Sequence, residues 1–336
     1  MATNGAQESS VSYEELIQLE YEFNDAEDEL VRRQYELERP LYARRAELVA
    51  KIPNFWALVL EQAPPDVDQY IQPSDSQVFA ECLTGISVER FDIQNTPRSF
   101  SITFTFAPNE WFEDATLEKK FYFRRAADNW TGLVSEPVKI NWKQGKDLSL
   151  GLTDAAIKLW EARTENSNVA NGAGKAAHIK QRKEVIDLIN KSSDSASRFF
   201  TLFGFVSERR YVSAEESDAA NKAEKERRAK AKAGEEVEDV EEEEVDFEEI
   251  EAEVCPHGAD LATMIAEDIW PNAIKYFTQA QEMDDEELSE IDFEEASDDD
   301  ESGDEIDIRA LVKGKSSKRK EKDSDLESPP ASKRKQ

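Results

Sequence analysis

One stretch of this chain, residues 235–307, carries almost all of its net charge. It holds 32 of the 74 acidic side chains and one of the 42 basic ones, Lys275, so −31 of the total formal charge of −32 lies there. Carboxylates at this density repel one another, and few apolar residues separate them, so most of the stretch cannot build a core. The folded body must come mainly from the other residues, and the localised polyanion predicts a polycationic partner.

A heptad pattern near the amino terminus predicts a long helix over residues 13–52. Pro40 is the one strong helix breaker in this range, and we expect it to kink the helix. About 35 helical residues span roughly 50 Å, more than a 200-residue domain needs for its own core. We therefore predict a dimerisation helix, with a helix lying on its own domain as the alternative. Its apolar seam consists of Leu16, Leu19, Phe23, Ala26, Leu30 and Leu37.

Alternating apolar residues after this helix predict a β-sheet. In 98–106, phenylalanine and isoleucine alternate with serine and threonine, and similar alternation occurs at 86–88, 117–123 and 138–142. Turn residues separate the four runs, which is typical of an antiparallel meander with one face on a core. The predicted fold class is therefore α+β, in which a long N-terminal helix precedes a four-stranded antiparallel sheet backed by helices.

The remaining sequence divides into folded and low-complexity segments. Helices are predicted at 178–191 and 197–203, with a loop at 166–174, and Pro271 interrupts a helical apolar stripe at 259–281. Residues 213–254 have too few apolar side chains to fold alone, although part of them can be helical. The predicted divisions are a disordered N-terminus (1–12), the α+β domain (53–212 and 255–281), a basic-then-acidic insertion (213–254), an acidic disordered tail (282–307) and a basic tail (308–336).

No arrangement of residues predicts catalysis, a cofactor or a metal site. Pairs of carboxylates arise by chance among 74 of them, so they carry no information about acid–base chemistry. His257 lies two residues after Cys255, but the further ligands that zinc needs are missing. We also find no apolar run of signal-peptide or membrane-spanning length, and we expect an intracellular protein without membrane contact.

Two six-residue segments within the acid repeat one pattern. Residues 244–249 and 290–295 both read Glu, branched aliphatic, Asp, Phe, Glu, Glu. We hypothesise that each phenylalanine enters an apolar pocket of a basic partner while the neighbouring carboxylates meet Arg and Lys. Chance repetition within low-complexity sequence is the alternative. The candidate residues are Asp246, Phe247, Glu248, Glu290, Asp292, Phe293, Glu294 and Glu295.

Two basic clusters near the carboxyl terminus predict nuclear import. They are separated by twelve residues, the arrangement of a bipartite import signal. A basic tail that folds back on the acidic run is the alternative, and the two can coexist. We predict a nuclear protein that also shuttles through the cytoplasm. The clusters are Lys318, Arg319 and Lys320, and Lys333, Arg334 and Lys335.

Four motifs, in this order, resemble the SET class of nucleosome assembly proteins: residues 40–56, 140–148, 199–203 and 268–272. Three further segments, 98–104, 135–138 and 256–262, look most like a fungal member of that class. The resemblance implies a homodimer built on the long helix and an acidic underside on each domain. It implies core histones as ligands, especially the tetramer-forming pair, and a histone acetyltransferase as a further partner. By position, Glu267 and Asp268 match an acidic pair implicated in histone contact.

The charge supports the same function on physical grounds. Histones are strongly basic, so a carrier needs many carboxylates in an adaptable geometry. One exposed ion pair contributes only about 0–1 kcal/mol, so binding must come from many together. We therefore predict a histone chaperone without direct DNA specificity. The alternatives are an acidic scaffold or inhibitor of a phosphatase or acetyltransferase, and a DNA mimic or acidic activation protein with no preference for histones. Further candidate histone-binding residues are Glu282, Asp284, Asp285, Glu286 and Glu287.

Overall fold

A computed structural model describes residues 13–168, 172–191, 198–233 and 250–291 of the chain. In it a long helix precedes three short helices and a four-stranded sheet, and further helices follow. The elements are α1 (Tyr13–Val49), α2 (Phe55–Glu61), α3 (Pro65–Asp68), α4 (Pro73–Cys82), β1 (Leu83–Glu89), β2 (Phe100–Phe106), β3 (Thr116–Arg125), β4 (Thr131–Ser135), α5 (Leu152–Asn168), α6 (Gly172–Lys191), a 3₁₀ helix (Phe199–Gly204), α7 (Ala214–Lys232), α8 (Gly258–Met264), a π-helical turn (Ile265–Ile269) and α9 (Ala273–Ile291).

The first helix is continuous over 37 residues, with Pro40 inside it. It ends at Val49, three residues before the predicted end. One face packs on the domain, where Arg45 and Val49 are buried. The opposite face exposes every residue of the predicted seam, because its leucines and phenylalanine keep between 49% and 65% of their surface open. Leu41 and Leu48 extend this exposed apolar stripe toward the end of the helix.

The sheet is an antiparallel meander in the order β1-β2-β3-β4, which confirms the predicted fold class. Alternate residues of β2 point into the core, so Phe100, Ile102 and Phe104 are almost fully buried. The 3₁₀ helix contributes its aromatic residues to the same core, and the rings of Phe104 and Phe199 lie 5.5 Å apart. The predicted helix at 197–203 is therefore this shorter 3₁₀ element.

The position predicted for the fourth strand is wrong. A tight turn, closed by the Ala126 N–H donating to the Trp130 carbonyl at 2.8 Å, returns the chain into β4 directly after β3. The segment 138–142 lies beyond β4, where the Val138 N–H donates to the carbonyl of Phe203 (2.8 Å). Pro137 precedes it without an N–H, which removes one donor that a strand ladder needs.

Two further segments differ from the sequence-based expectation. The predicted loop at 166–174 is largely helical, because α5 continues to Asn168 and α6 begins at Gly172. These helices pack against each other around Val185. The basic part of the segment 213–254 forms α7, which packs on β3 and α1. The few apolar side chains of this segment did not predict this packing.

The last helix also extends past its predicted end. α9 continues to Ile291, ten residues into the range assigned to the acidic tail. Near its start, the Phe277 ring stacks on Phe55 of α2 at 4.8 Å, which fixes the helix to the core. Among the described residues, no helix combines the length and the apolar composition needed to cross a membrane.

A buried lysine lies at the centre of the sheet. The alternation in β3 places Lys119 on the core side, and its side chain is completely buried. Its ammonium group donates hydrogen bonds to three carbonyl oxygens that surround it, which offsets the loss of hydration. Burial lowers the pKa of Lys119, and the carboxylate of Glu253 opposes that shift. The three acceptors are Glu136 (2.7 Å), Phe203 (3.1 Å) and Phe205 (2.7 Å).

Asp75 is a buried carboxylate at the start of α4. Its Oδ2 accepts hydrogen bonds from the N–H groups of Gln72 (3.0 Å) and Phe199 (3.4 Å). Its Oδ1 has no hydrogen-bond partner among the described residues. Burial is the main cause that raises the pKa of Asp75 to about 6, from an ordinary value of 3.8. The fold therefore favours the protonated carboxyl group.

The substitution Asp75→Asn should remove this pH dependence. Between about pH 4 and 6 the folded state binds the extra proton, so the stability from Asp75 is complete below pH 4 and lost as the pH rises through 6. As the pH rises from 4 to 7.5, we expect the free energy of unfolding of the variant to increase by about 2–3 kcal/mol relative to that of the wild type. Urea unfolding followed by tryptophan fluorescence measures the difference. Asp68→Asn, at an exposed position, is the control; a wild type and variant with parallel pH profiles would contradict the assignment.

Candidate functional site

The predicted acidic pair Glu267 and Asp268 lies on the π-helical turn between α8 and α9. The turn is defined by the Trp270 N–H, which donates to the carbonyl of Ile265 at 2.9 Å, five residues back. Pro271 follows without an N–H, so the regular hydrogen-bond ladder stops here before α9 begins. The extra residue in the turn places two consecutive carboxylates at a break between helices.

Glu267 presents its carboxylate to solvent. About half of its side chain is exposed, and one oxygen forms an ion pair with Arg90 at 3.1 Å. Arg90 is itself held in place, because its guanidinium also donates to the carbonyl of Pro97 at 2.8 Å. The carboxylate is thus positioned by the chain after β1 while part of its hydrogen-bonding capacity faces outward.

Asp268 has a different role, because it braces the beginning of α9. Its Oδ1 accepts from the side-chain amide of Asn272 (2.9 Å), and its Oδ2 accepts from the hydroxyl of Tyr276 (2.7 Å). Burial, followed by this hydrogen bond, raises the pKa of Tyr276 to about 12, so the tyrosine remains a donor. Asp268 therefore stabilises the break in the helix, and Glu267 is the carboxylate better placed for an external cation.

Arg45 joins the long helix to this site. Its guanidinium donates to the carbonyl oxygens of Trp270 and Pro271, the latter at 3.1 Å. The same group lies over the rings of Tyr42 (4.8 Å) and Trp270 (4.7 Å), within cation–π distance. The indole N–H of Trp270 donates in turn to the carbonyl of Ile86 in β1 at 3.0 Å. One arginine and one tryptophan thus connect α1, the π-helical turn and the edge strand.

Three other arginines hold the rest of α1 against its domain. Arg98 binds Asp28 (2.8 Å) and Glu27 (3.1 Å), and Arg32 donates to the carbonyl of Ile93 at 3.2 Å. Nearer the amino end, Arg228 of α7 lies 3.9 Å over the ring of Tyr21 and 3.3 Å from a carboxylate oxygen of Asp25. These contacts fix which face of α1 meets the domain, so the apolar seam points away from it.

The other predicted binding residues lie on both sides of this turn in the sequence. Glu282 is exposed on α9. Asp284, Asp285, Glu286, Glu287 and Glu290 belong to the last turns of the same helix, although their side chains lie outside the described set. Of the predicted set, the structure thus describes the side chains of Glu267, Asp268 and Glu282, and the rest stays a prediction. Outside the described residues altogether are Asp246, Phe247, Glu248, Asp292, Phe293, Glu294 and Glu295, together with the six import residues Lys318, Arg319, Lys320, Lys333, Arg334 and Lys335.

Three residues of the site were not predicted from the sequence. Arg90 orients Glu267, Tyr276 orients Asp268, and Arg45 docks α1 on the π-helical turn. The Trp-Pro pair at 270–271 was the one available signal, because a proline after a helical stripe indicates a break. Within the part of the chain that the structure describes, no group of three or more His, Cys, Asp or Glu side chains is suited to a metal ion.

Comparison with known proteins identifies the family to which this chain is similar. The sequence profile described as nucleosome assembly protein (NAP) matches residues 9–280. The chain belongs to the nucleosome assembly protein family. A putative nucleosome assembly protein of the fission yeast Schizosaccharomyces pombe, C36B7.08c, is 31% identical over 307 residues, which cover 88% of this chain and 87% of that protein. The crystal structure of Ccp1 has a TM-score of 0.50 at 30% identity and covers 85% of this chain and 98% of that one.

Family membership confirms two predictions and leaves a third as a prediction. The fold is that of nucleosome assembly proteins, and these histone chaperones are not enzymes. The fungal member expected to be most similar, the Vps75 histone chaperone, is 20% identical over 80% of this chain, with a TM-score of 0.46. The particular likeness of three segments to this fungal member stays a prediction.

Proposed function

We propose that this protein is a histone chaperone that binds core histones, shields them from non-specific contact with DNA and supports nucleosome assembly. The observation that carries the proposal is the exposed carboxylate of Glu267, held on a rigid turn next to the acidic helix α9. A fixed carboxylate sets the register of a basic partner, and many further carboxylates supply the affinity. Membership of the nucleosome assembly protein family supports the same function.

The acidic segments on either side of this turn extend the proposed binding surface. Towards the carboxyl terminus, Glu282 is exposed on α9, and five more acidic residues follow before the helix ends. The repeated Asp-Phe-Glu-Glu pattern adds the proposed apolar anchors Phe247 and Phe293. Separate segments of this kind reach different parts of a basic protein, while the turn bearing Glu267 keeps a fixed position on the domain.

We propose that two copies of the chain pair through the seam of α1. The support is the exposure of Leu30 and Leu37, at 65% and 57%, on a helix whose other face is already occupied by its own domain. A continuous row of exposed leucines on one helix is unfavourable in water and is typical of an interface. A homodimer would double the acidic surface offered to a histone complex.

Two finer proposals rest on the sequence. The basic clusters at 318–320 and 333–335 support import into the nucleus, where histones are assembled on DNA. Presentation of histones to an acetyltransferase follows from the family resemblance, and an acetylation assay with and without this chain tests it.

Removal of two charges at the proposed site should weaken histone binding. The double variant Glu267→Gln/Glu282→Gln preserves size and hydrogen-bonding capacity but removes two exposed carboxylates. We expect the Kd for core histones to rise about three- to tenfold at moderate salt, because each exposed ion pair contributes up to about 1 kcal/mol. Fluorescence titration with labelled histone H3–H4 and H2A–H2B measures the change.

The matched control changes the same charge at other places. Glu81→Gln/Glu161→Gln removes two exposed carboxylates on α4 and α5. We expect this variant to bind histones within about twofold of the wild type, since the net charge alone does not define the site. An equal loss in both double variants would contradict a localised site, and no loss in either would favour an acidic scaffold.

Charges placed in the seam should separate the proposed dimer. The variant Leu30→Glu/Leu37→Glu buries two carboxylates per chain at the interface, so we expect a monomer at micromolar concentration by sedimentation velocity. The helix itself should remain, because both positions are exposed in the single chain. Asn24→Glu/Ala43→Glu, at exposed positions outside the seam, should leave the mass unchanged. A wild-type monomer, or a dimer that survives the seam variant, would refute this interface.

A further inference from the structure

An open cleft lies between α1 and β1, the edge strand of the sheet. It consists of two cavities of about 270 Å³ and 260 Å³, each with room for several water molecules or a side chain. Both cavities are lined by Tyr35, Tyr42, Val88 and Trp270, so they adjoin each other along the strand. The wall of the smaller cavity includes Glu267. The cleft is therefore continuous with the candidate site.

The main chain of β1 has unpaired polar groups on the side of this cleft. The carbonyl of Ile86 accepts a hydrogen bond from the indole N–H of Trp270 at 3.0 Å, so it points away from β2. In an antiparallel strand, the N–H and C=O groups of every second residue point to the same side, and those of Val88 therefore also face the cleft. They have no hydrogen-bond partner there among the described residues. β1 thus presents a donor and an acceptor to an added strand.

The two cavities lie where successive side chains of an added strand would point. The larger one is lined by Ser87 and Glu89, which belong to the exposed face of β1. The smaller one is lined by Ala266, which belongs to the core cluster. Because the side chains of an extended peptide alternate between two faces, a peptide paired with Val88 would place one side chain in each cavity. In strand addition, main-chain hydrogen bonds supply affinity, and cavities for alternate side chains select the sequence.

The smaller cavity favours a basic side chain. Within the described part of the chain, the Glu38 carboxylate in its wall accepts hydrogen bonds from neutral donors only, the amide of Gln34 (3.1 Å) and the hydroxyl of Tyr42 (2.8 Å). Glu267, the second carboxylate of this wall, forms an ion pair with Arg90. Two carboxylates are thus accompanied by one arginine, so the wall has a net negative charge that complements a cation.

The larger cavity favours an apolar side chain. Trp56 and Ala46 supply apolar parts of its wall. Arg45 also lines it, but its guanidinium is already held by two carbonyl oxygens and two aromatic rings. Arg39 and Glu89, both exposed, bring opposite charges to the same wall. The described wall therefore has no excess of carboxylates that would attract a second cation.

We propose that this cleft binds an extended peptide in which apolar and basic residues alternate, added to the sheet as a strand beside β1. This deepens the proposed function and rests on it, because a bound histone would supply the peptide. Glu267 would then meet a basic side chain inside the smaller cavity. A histone segment fixed in this way would set the position of the histone on the domain, while the acidic segments of the chain supply further affinity.

Two synthetic peptides test this proposal on the full-length chain without histones. The probe is fluorescein-labelled Val-Lys-Val-Lys-Val-Lys, and its control is Val-Val-Val-Lys-Lys-Lys, which has the same composition and charge. Non-specific attraction to the acidic segments acts on both, so a difference reports the alternation. We expect fluorescence anisotropy to give a Kd about fivefold lower for the alternating peptide.

Variants of the cleft should remove this preference. Ala46→Trp fills the larger cavity from an exposed position, and we expect it to reduce the difference between the peptides to less than about twofold. Ala223→Trp, exposed on α7, is the control and should retain the difference. Glu38→Gln should raise the Kd of the alternating peptide about threefold. Its matched control is Glu81→Gln, because Glu81 also accepts a hydrogen bond from a glutamine four residues earlier in its helix. Thermal unfolding verifies that each variant is folded.

Methylation of the peptide main chain tests the pairing with β1 itself. In one form of the alternating peptide the valine nitrogens are methylated, and in the other the lysine nitrogens. Only one of these two sets of N–H groups can face β1, because they alternate along a strand. We expect the Kd values of the two forms to differ about fivefold.

The outcomes separate this proposal from the proposed function. Equal binding of the alternating and control peptides, a preference that survives Ala46→Trp, or equal binding of the two methylated forms would overturn it. A changed mass of the proposed dimer in Ala46→Trp, measured by sedimentation velocity, would assign the cleft to a second copy and would also overturn it. Selective peptide binding by a chain that does not bind core histones would sustain the cleft and refute the chaperone function.

Discussion

The docking of one arginine determines how this molecule is arranged. The guanidinium of Arg45 lies over the ring of Tyr42 in α1 and over the ring of Trp270 at the end of the π-helical turn. It also donates to the carbonyl oxygens of Trp270 and Pro271, which follow the acidic pair. Because the cation is desolvated and surrounded by rings and carbonyl oxygens, its contacts are stronger than those of an exposed ion pair. Loss of this side chain would release the carboxyl end of α1 from the π-helical turn and remove a support from the turn that positions Glu267. The helix and the candidate site therefore depend on the same interaction.

Buried charged side chains of the domain have specific partners, whereas most exposed ones do not need them. Lys119 and Asp128 are buried, and each is matched by specific partners: carbonyl oxygens for the lysine, Arg209 for the aspartate. Outside, the acidic residues are numerous, and most of them have no need of a fixed geometry. Most of the net charge falls in the stretch 235–307, so the described core holds only a few charged groups with specific partners.

Local patterns predicted much of the fold, and long-range pairings did not follow from them. The seam of α1 and the alternation of β2 are periodic within a few residues, so both could be identified in advance. β4 has only five residues and little alternation, and the alternating run 138–142 after it was taken for the strand. The contact between Arg45 and Trp270 joins positions 225 residues apart, which no local pattern encodes. The same reason explains why no local pattern indicated the attraction between the buried Lys119 and Glu253.

The rigid attachment of α1 has a geometric consequence. The helix of 37 residues is about 55 Å long, and arginines hold it to one domain near both ends. In the proposed pair of chains, the distance between the two acidic faces would be set by the helix and not by the cargo. A dimer with this fixed spacing would select basic assemblies by their size as well as their charge. Its acidic segments would adapt to the shape of any assembly that fits between the two faces.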